Sequence, residues 1–238
     1  MPKLFRLMLL CATFVFILPS CSNEEDEPKV NVSTLNKNSL TMYTGETATL
    51  TYSGGTCTWS SDNELIASVS YGVVTAKRVG VTTIRANGNT CKVTVKPRVT
   101  KYQEPYIGWG DSMSKVKNSM NSYELLEASS NELIYKVDSN TAYGYLFEND
   151  KLETSILIVT SLSEASTLGE FCAERYIPAT YVGDYTFAFL TVDKKTAVFV
   201  QIATKYIAVM YTSFETSTRG TPMINSLDIT RLLDNLIK

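Results

Sequence analysis

Cys21 is the residue whose chemistry can be read most directly from its neighbours. It follows the apolar run 7–18 and the pair Pro19 and Ser20, and it precedes Ser22, Asn23 and four acids, Glu24, Glu25, Asp26 and Glu27. Its thiol is the only nucleophile in that stretch able to carry a thioether-linked lipid. Elsewhere reactive groups are scarce. The chain has no histidine, which removes His-dependent triads, His general bases and the commonest metal ligand. Zinc is poorly served without His or closely spaced Cys. Paired carboxylates about 5 to 9.5 Å apart suffice for glycoside hydrolysis, and Glu148, Asp150, Glu153, Glu170, Glu174, Asp184 and Asp193 are available. Most fall in turns or on polar helix faces, where a solvated carboxylate is the default. The sequence therefore reads as no enzyme, with no cofactor, no metal site and no nameable ligand-binding residue.

The residues before Cys21 specify an address. Lys3 and Arg6 form a basic head ahead of the apolar run, and a basic head, an apolar middle of about 7–15 residues and a small-residue end make a secretory signal peptide. The run is shorter than the ~20 residues a bilayer-crossing helix needs. Leu18, Pro19, Ser20 and Cys21 resemble the lipobox of bacterial lipoproteins. That resemblance implies that residues 1–20 are removed and that Cys21 becomes the acylated first residue, each buried methylene adding about 0.8 kcal/mol to membrane attachment. The sequence SNEEDE at 22–27 resembles the acidic signal of surface-displayed lipoproteins in certain Gram-negative bacteria. Residues 21–30 also suit a solvated acidic tether, because like charges repel and bury nothing. The expected location is the bacterial outer membrane, lipid-anchored and facing the cell surface.

Net charge limits the partners. The chain carries 22 Lys and Arg against 24 Asp and Glu, and loss of Lys3 and Arg6 moves the formal charge from −2 to about −4. Nucleic acid and anionic headgroups attract dense Lys and Arg, so no nucleic acid is expected, and membrane contact falls to the covalent lipid.

Two domains are expected downstream. Residues 31–97 alternate apolar and polar side chains between turns at Gly45, Gly72, Gly80 and Gly88, which predicts an antiparallel all-β sandwich. Trp59 is the expected large core residue. The stretches around Leu40 to Met42, Gly45 to Thr47, Trp59 to Asp62, Gly72 to Thr75, Gly80 to Ile84 and Cys91 to Val95 resemble the bacterial immunoglobulin-like group 2 domain. The resemblance implies a spacer or adhesion module without catalysis. Period-2 spacing puts Cys57 and Cys91 on inward faces, where a disulfide between them and two free core thiols both fit the pattern; Cys172 reads as a core thiol.

Eleven of the fourteen tyrosines fall after residue 98, and residues 99–238 read as an α+β domain. A helix begins at Asp111 or Ser112 with Met113, Val116 and Met120 on one face, and a second spans residues 163–176 with Leu168, Phe171 and Cys172 inward. Each precedes a run of strands, giving two pseudo-repeats, each a helix plus antiparallel sheet, closed by an amphipathic C-terminal helix with Leu232, Leu233, Leu236 and Ile237 in a stripe. The helix start at 110–116 and the hairpin at 145–152 look like parts of small secreted α+β domains of the lipoprotein and β-lactamase-inhibitor-like kind. Trp109 is expected on the sheet or between the domains. Tyr143, Tyr145, Tyr181 and Tyr185 are candidates either for an outward stacking platform or for burial, while the phenylalanines are expected inside.

The expected function is that of a lipid-anchored envelope protein whose immunoglobulin-like spacer presents a C-terminal recognition domain to a glycan, peptide or protein through an open sheet. The alternative is a structural or accessory subunit of an envelope complex with no soluble ligand.

Overall fold

The computed structural model describes residues 33–183 and 186–214. The expected signal peptide, Cys21, the acidic tether and the expected helix at 226–238 lie outside the described residues. The described chain is mostly β, with two α-helices.

Seven short strands come first: β1 (Ser39–Tyr43), β2 (Thr47–Thr49), β3 (Trp59–Ser61), β4 (Ala67–Ser70), β5 (Val73–Ala76), β6 (Gly80–Ala86) and β7 (Asn89–Lys96). They make a four-stranded sheet in the order β1-β7-β6-β3, with β1 parallel to β7, and a three-stranded sheet in the order β2-β5-β4. Alternation does the sorting. Along β7, Cys91, Val93 and Val95 are buried while Lys92 and Lys96 face solvent, as a half-buried strand requires. These side chains meet Met42, Leu50, Val74 and Ile84 in one core.

Trp59 departs from expectation. It is only partly buried and packs on the border of that core, where Leu50 and Ile84 take the centre. One reason is Gly72. Tyr71 and Gly72 both have positive φ in the two-residue β4–β5 turn, the geometry of a type I′ hairpin, and a Cβ on Gly72 would lie 3.2 Å from Trp59 Cζ2 and run into the Leu50 carbonyl oxygen. The indole rests against a turn that must stay bare. Gly80, expected at a turn, is instead a strand residue. It opens β6, where the Ile66 side chain lies against it.

The remaining elements are α1 (Met113–Ser119), β8 (Glu124–Ala128), β9 (Glu132–Lys136), β10 (Thr141–Glu148), β11 (Lys151–Val159), a 3-10 turn at Leu162–Glu164 leading into α2 (Ala165–Arg175), then β12 (Ile177–Gly183), β13 (Thr186–Leu190), β14 (Thr196–Ile202) and β15 (Ile207–Ser213). Ser112 caps α1 by accepting from Lys115 N. Each helix precedes four antiparallel strands, and the two meanders join through β11 and β15 into one eight-stranded sheet, β12-β13-β14-β15-β11-β10-β9-β8.

The two faces of this sheet differ by strand parity. One carries Tyr143, Tyr145, Leu157, Val198, Val209 and Tyr211 against Val116, Met120, Leu168, Phe171 and Cys172 of the helices. The other carries Ile134, Ala142, Ile156, Ile158, Phe199, Ala208 and Met210.

Candidate functional site

A polar cluster organised by Glu174 joins the seven-strand part to the eight-strand part. A glutamate one residue from the end of a helix is locally unfavourable, because carbonyl dipoles make that end negative. Tertiary donors offset this. The carboxylate accepts from Thr44 Oγ1 at 2.7 Å, from Arg98 N at 2.9 and 3.0 Å and from Val99 N at 3.1 Å. Its side chain is 11 % exposed, with Arg175 Nη1 at 3.6 Å. Burial pushes the Glu174 carboxyl up, but the hydrogen bonds from Thr44, Val99 and Arg98 and the charge of Arg175 outweigh it and hold the group below its ordinary value.

Backbone and arginine contacts extend the join. Val79 N donates to the Glu174 carbonyl at 2.8 Å. Arg78 Nε donates to the Tyr176 carbonyl at 3.0 Å, Arg98 Nε to the Thr44 carbonyl at 2.8 Å and Arg175 Nη2 to the Val99 carbonyl at 3.1 Å. Thr44, Arg78 and Val79 of the first part thus donate to the end of α2 and to Tyr176, while Arg98 in the connection donates back to Thr44 and forward to Glu174. An open cleft of about 330 Å³ runs beside this cluster, lined by Thr44, Gly45, Lys77, Arg98, Glu170, Ala173 and Glu174. Its walls present two cations and two carboxylates, a mixed field that selects no single ligand charge.

The helix-covered face is rich in phenols turned inward. Tyr176 Oη donates to Glu104 Oε1 at 2.6 Å and lies 2.9 Å from Tyr211 Oη. Tyr145 Oη accepts from Tyr106 N at 3.2 Å and reaches Met120 Sδ at 3.1 Å. Tyr143 Oη donates to the Gln103 carbonyl, and burial pushes its phenol up to about 12. Burial likewise raises Tyr176 and Tyr211 well above the ordinary phenol value. A stacking platform on an open sheet is therefore absent at Tyr143 and Tyr145, which are 3 % and 0 % exposed. Odd positions of β10 face the helices and even positions carry Ala142, Gly144 and Leu146, so aromatic bulk went to the side with room for it. The side chains of Tyr181 and Tyr185 lie outside the described residues. Phe189 and Phe199 fall on opposite faces, whereas Phe187 is 41 % exposed. Trp109 packs on the sheet, Nε1 donating to Thr196 Oγ1 at 3.2 Å.

The acids weighed for hydrolysis are spread over separate tasks. Asp150 Oδ1 accepts from Met113 N at the start of α1, Asp193 closes the β13–β14 turn through Thr191 and Lys195, and Glu148, Glu153 and Glu170 face solvent. Asp184 lies outside the described residues. Among the described residues no group of three or more Cys, Asp or Glu is placed to hold a metal ion, and no helix is long and apolar enough to cross a membrane.

Cys57, Cys91 and Cys172 are free thiols. The bridge weighed between Cys57 and Cys91 is not formed, for a topological reason. Cys57 leads into β3 and Cys91 lies on β7, and β6 runs between those strands. Second neighbours in a sheet are roughly 9–10 Å apart, beyond the ~4.4–6.8 Å Cα separation a disulfide tolerates. Burial pushes the Cys172 thiol up to about 12, as expected for a core filler.

Both edges of the large sheet are blunted. β8 has a register shift between Leu125 and Glu127 with Glu124 exposed, and β12 carries Pro178 and two irregularities. Bulges, charges and proline are the usual means of stopping edge-to-edge pairing.

In the sequence Glu174 reads as one of several solvated acids. The signal that singles it out is its position: an acid directly before Arg175 at the C-terminal end of a helix breaks the macrodipole rule unless something outside the helix holds it. No family model matches the chain. No curated protein matches it either.

Proposed function

We propose that this is a lipid-anchored protein of the bacterial outer membrane, facing the cell surface, in which an immunoglobulin-like group 2 sandwich holds a tandem α+β recognition part at a fixed orientation. The observation that carries this reading is the Glu174 cluster. A flexible linker would let the two parts tumble independently, whereas here a nearly buried carboxylate, three arginines and a backbone bond from Val79 to Glu174 tie Thr44, residues 78–79 and residues 98–99 to the end of α2. Rigid mounting serves presentation: a partner that docks on the distal part meets one orientation, which lowers the ordering cost of association. The lipid at Cys21 supplies the anchor and the acidic stretch 22–27 the clearance. The partner is a glycan, peptide or protein. Candidate contact points are exposed apolar side chains, Tyr71 at the β4–β5 turn, Leu125 on β8 and Phe187 on β13.

One observation favours the second reading, an accessory subunit of an envelope complex that binds nothing soluble. The large sheet has blunted edges and buried residues on both faces, which leaves little open strand surface for ligand capture.

The test has two arms. Labelled palmitate should enter the wild-type protein and fail to enter Cys21→Ser; equal incorporation would overturn the anchor. Surface protease applied to intact cells should remove the protein from wild-type cells; full protection would place it on the periplasmic side and favour the accessory reading.

A further inference from the structure

A small pocket of about 130 Å³ lies on the helix-covered side of the large sheet, where the segment entering at residues 101–103, the turn after α1 and the β9–β10 turn meet. Local bonds set its walls. Val137 N and Asp138 N both donate to the Thr141 carbonyl, and Asp138 Oδ1 accepts from Asn140 N at 2.8 Å, which closes the β9–β10 turn. Tyr123 N donates to the Met120 carbonyl at the end of α1, and the Tyr123 ring meets Tyr143 edge-on with centroids 5.7 Å apart. Tyr143 Oη donates to the Gln103 carbonyl, which ties the entering segment to β10.

The lining keeps polar atoms in reserve. Thr141 is 5 % exposed, and its hydroxyl makes no hydrogen bond within the described residues. No buried side-chain oxygen among them is sealed without a partner, so this hydroxyl opens into the pocket. Asp138 commits one carboxylate oxygen to its own turn and leaves the other for a guest. The cation at the rim is already engaged: Lys101 Nζ sits 2.7 Å from Glu164 Oε1 and over the Tyr102 ring. A cationic guest would meet Lys101, and an anionic one would meet Asp138 and Glu164. The phenols add no charge, since burial, then Tyr123 and Asp138, push the Tyr143 group up to about 12, and burial and Glu164 raise Tyr102 as well.

We propose that this pocket holds one neutral sugar ring of a glycan, with Tyr123 against a C–H face of the ring and Asp138, Thr141 and the Gln103 amide taking its hydroxyls. The assignment rests on the reading of the α+β part as the recognition part and names its ligand class. A pyranose is apolar on a ring face and hydroxylated around its rim, and the lining has the same division. Tyr102 and Tyr143 are each 3 % exposed, so the half-buried Tyr123 is the tyrosine with ring surface to offer, its angle fixed by Tyr143. A carboxylate only accepts, which suits vicinal hydroxyls, and bonds to a charged acceptor are the stronger kind. Size sets the extent of the guest. A volume of about 130 Å³ is the share of about four waters and falls below the ~300–1,000 Å³ of pockets that enclose a drug-sized ligand. One ring enters, and the rest of the glycan stays in solvent.

The test uses the full chain purified in detergent, applied to a glycan array and to a peptide array, with Tyr123→Leu, Tyr123→Phe, Asp138→Asn and Thr141→Val in parallel. Dense display offsets the weak affinity of a single ring. At least one neutral glycan should retain the wild type. Retention should fall at least tenfold in Tyr123→Leu and Asp138→Asn and several-fold in Thr141→Val, and it should persist in Tyr123→Phe. Asp138→Asn keeps an oxygen for Asn140 N and lies on the surface, so it decides the matter even where Tyr123→Leu fails to fold. Retention by no neutral glycan, retention by charged glycans or peptides alone, or equal retention of Asp138→Asn would overturn the proposal. Palmitate labelling and surface proteolysis read the anchored-protein proposal separately, so failure of one is told apart from failure of the other.

Discussion

Replacing Glu174 by alanine should weaken the whole described fold through the join between its two parts. Thr44, Arg98 and Val99 together direct one hydroxyl and two backbone N–H groups at this carboxylate, at 2.7 to 3.1 Å. A hydrogen bond to a charged acceptor contributes about 1.5–3 kcal/mol, and an orphaned buried donor costs about 1–3 kcal/mol. The adjoining cleft admits water, which can re-satisfy part of the set. Glu174→Ala is therefore expected to cost about 2–4 kcal/mol, Thr44→Val about 1 kcal/mol, and the double variant less than their sum by about 1 kcal/mol, because both remove the same bond. The assay is urea denaturation. The chain has two tryptophans, one in each part, Trp59 and Trp109, so single-tryptophan versions built with Phe report each part separately. In the parent the two transitions should coincide, and in Glu174→Ala they should separate. A loss below about 0.5 kcal/mol, strict additivity with Thr44→Val, or transitions that stay coincident would refute the reasoning. Acid supplies the same test without mutation. The folded Glu174 carboxyl sits below its ordinary value of 4.5, so its contribution is complete above that pH and is lost as pH falls through the folded value. Glu174→Gln should flatten the acid limb of stability in that window.

Four further outcomes are expected. Tyr211→Phe should cost about 1–2 kcal/mol in denaturant midpoint experiments, since Tyr176 keeps Glu104 but loses its fully buried hydroxyl neighbour. Gly72→Ala should cost more than about 1 kcal/mol, because φ is +80° and the added carbon meets the Leu50 carbonyl. Thiol labelling of the folded soluble part at pH 8 should modify half-buried Cys57 quickly and leave Cys91 and Cys172 untouched until denaturant is added; burial raises both of those thiols, Cys172 to about 12. Cys21→Ser should move the protein from the membrane to the soluble fraction in cell fractionation.

Local chemistry was enough to mark out the strands and helices. Alternation along β7, the Ser112 cap of α1, the apolar stripes of α1 and α2, and the Gly72 and Gly88 turns are encoded within a few residues, because period and φ preference are properties of adjacent side chains. The same locality makes the acylation expectation at Cys21 a matter of sequence alone. What the linear chain left open was every choice between two faces or two partners. Tyr143 and Tyr145 suit a wet or a dry side equally well, and only the closing of eight strands under two helices sent them inward. Cys57 and Cys91 share an inward parity, but the insertion of β6 between their strands keeps them apart. Glu174 differs from Glu170 locally only in lying at the C-terminal end of α2, which says that something outside the helix holds it but not what. Its donors, Thr44 and the Arg98 and Val99 amides, lie about 130 and 75 positions upstream. A carboxylate's role depends on what surrounds it in three dimensions, and those surroundings were assembled only when the two parts of the chain met.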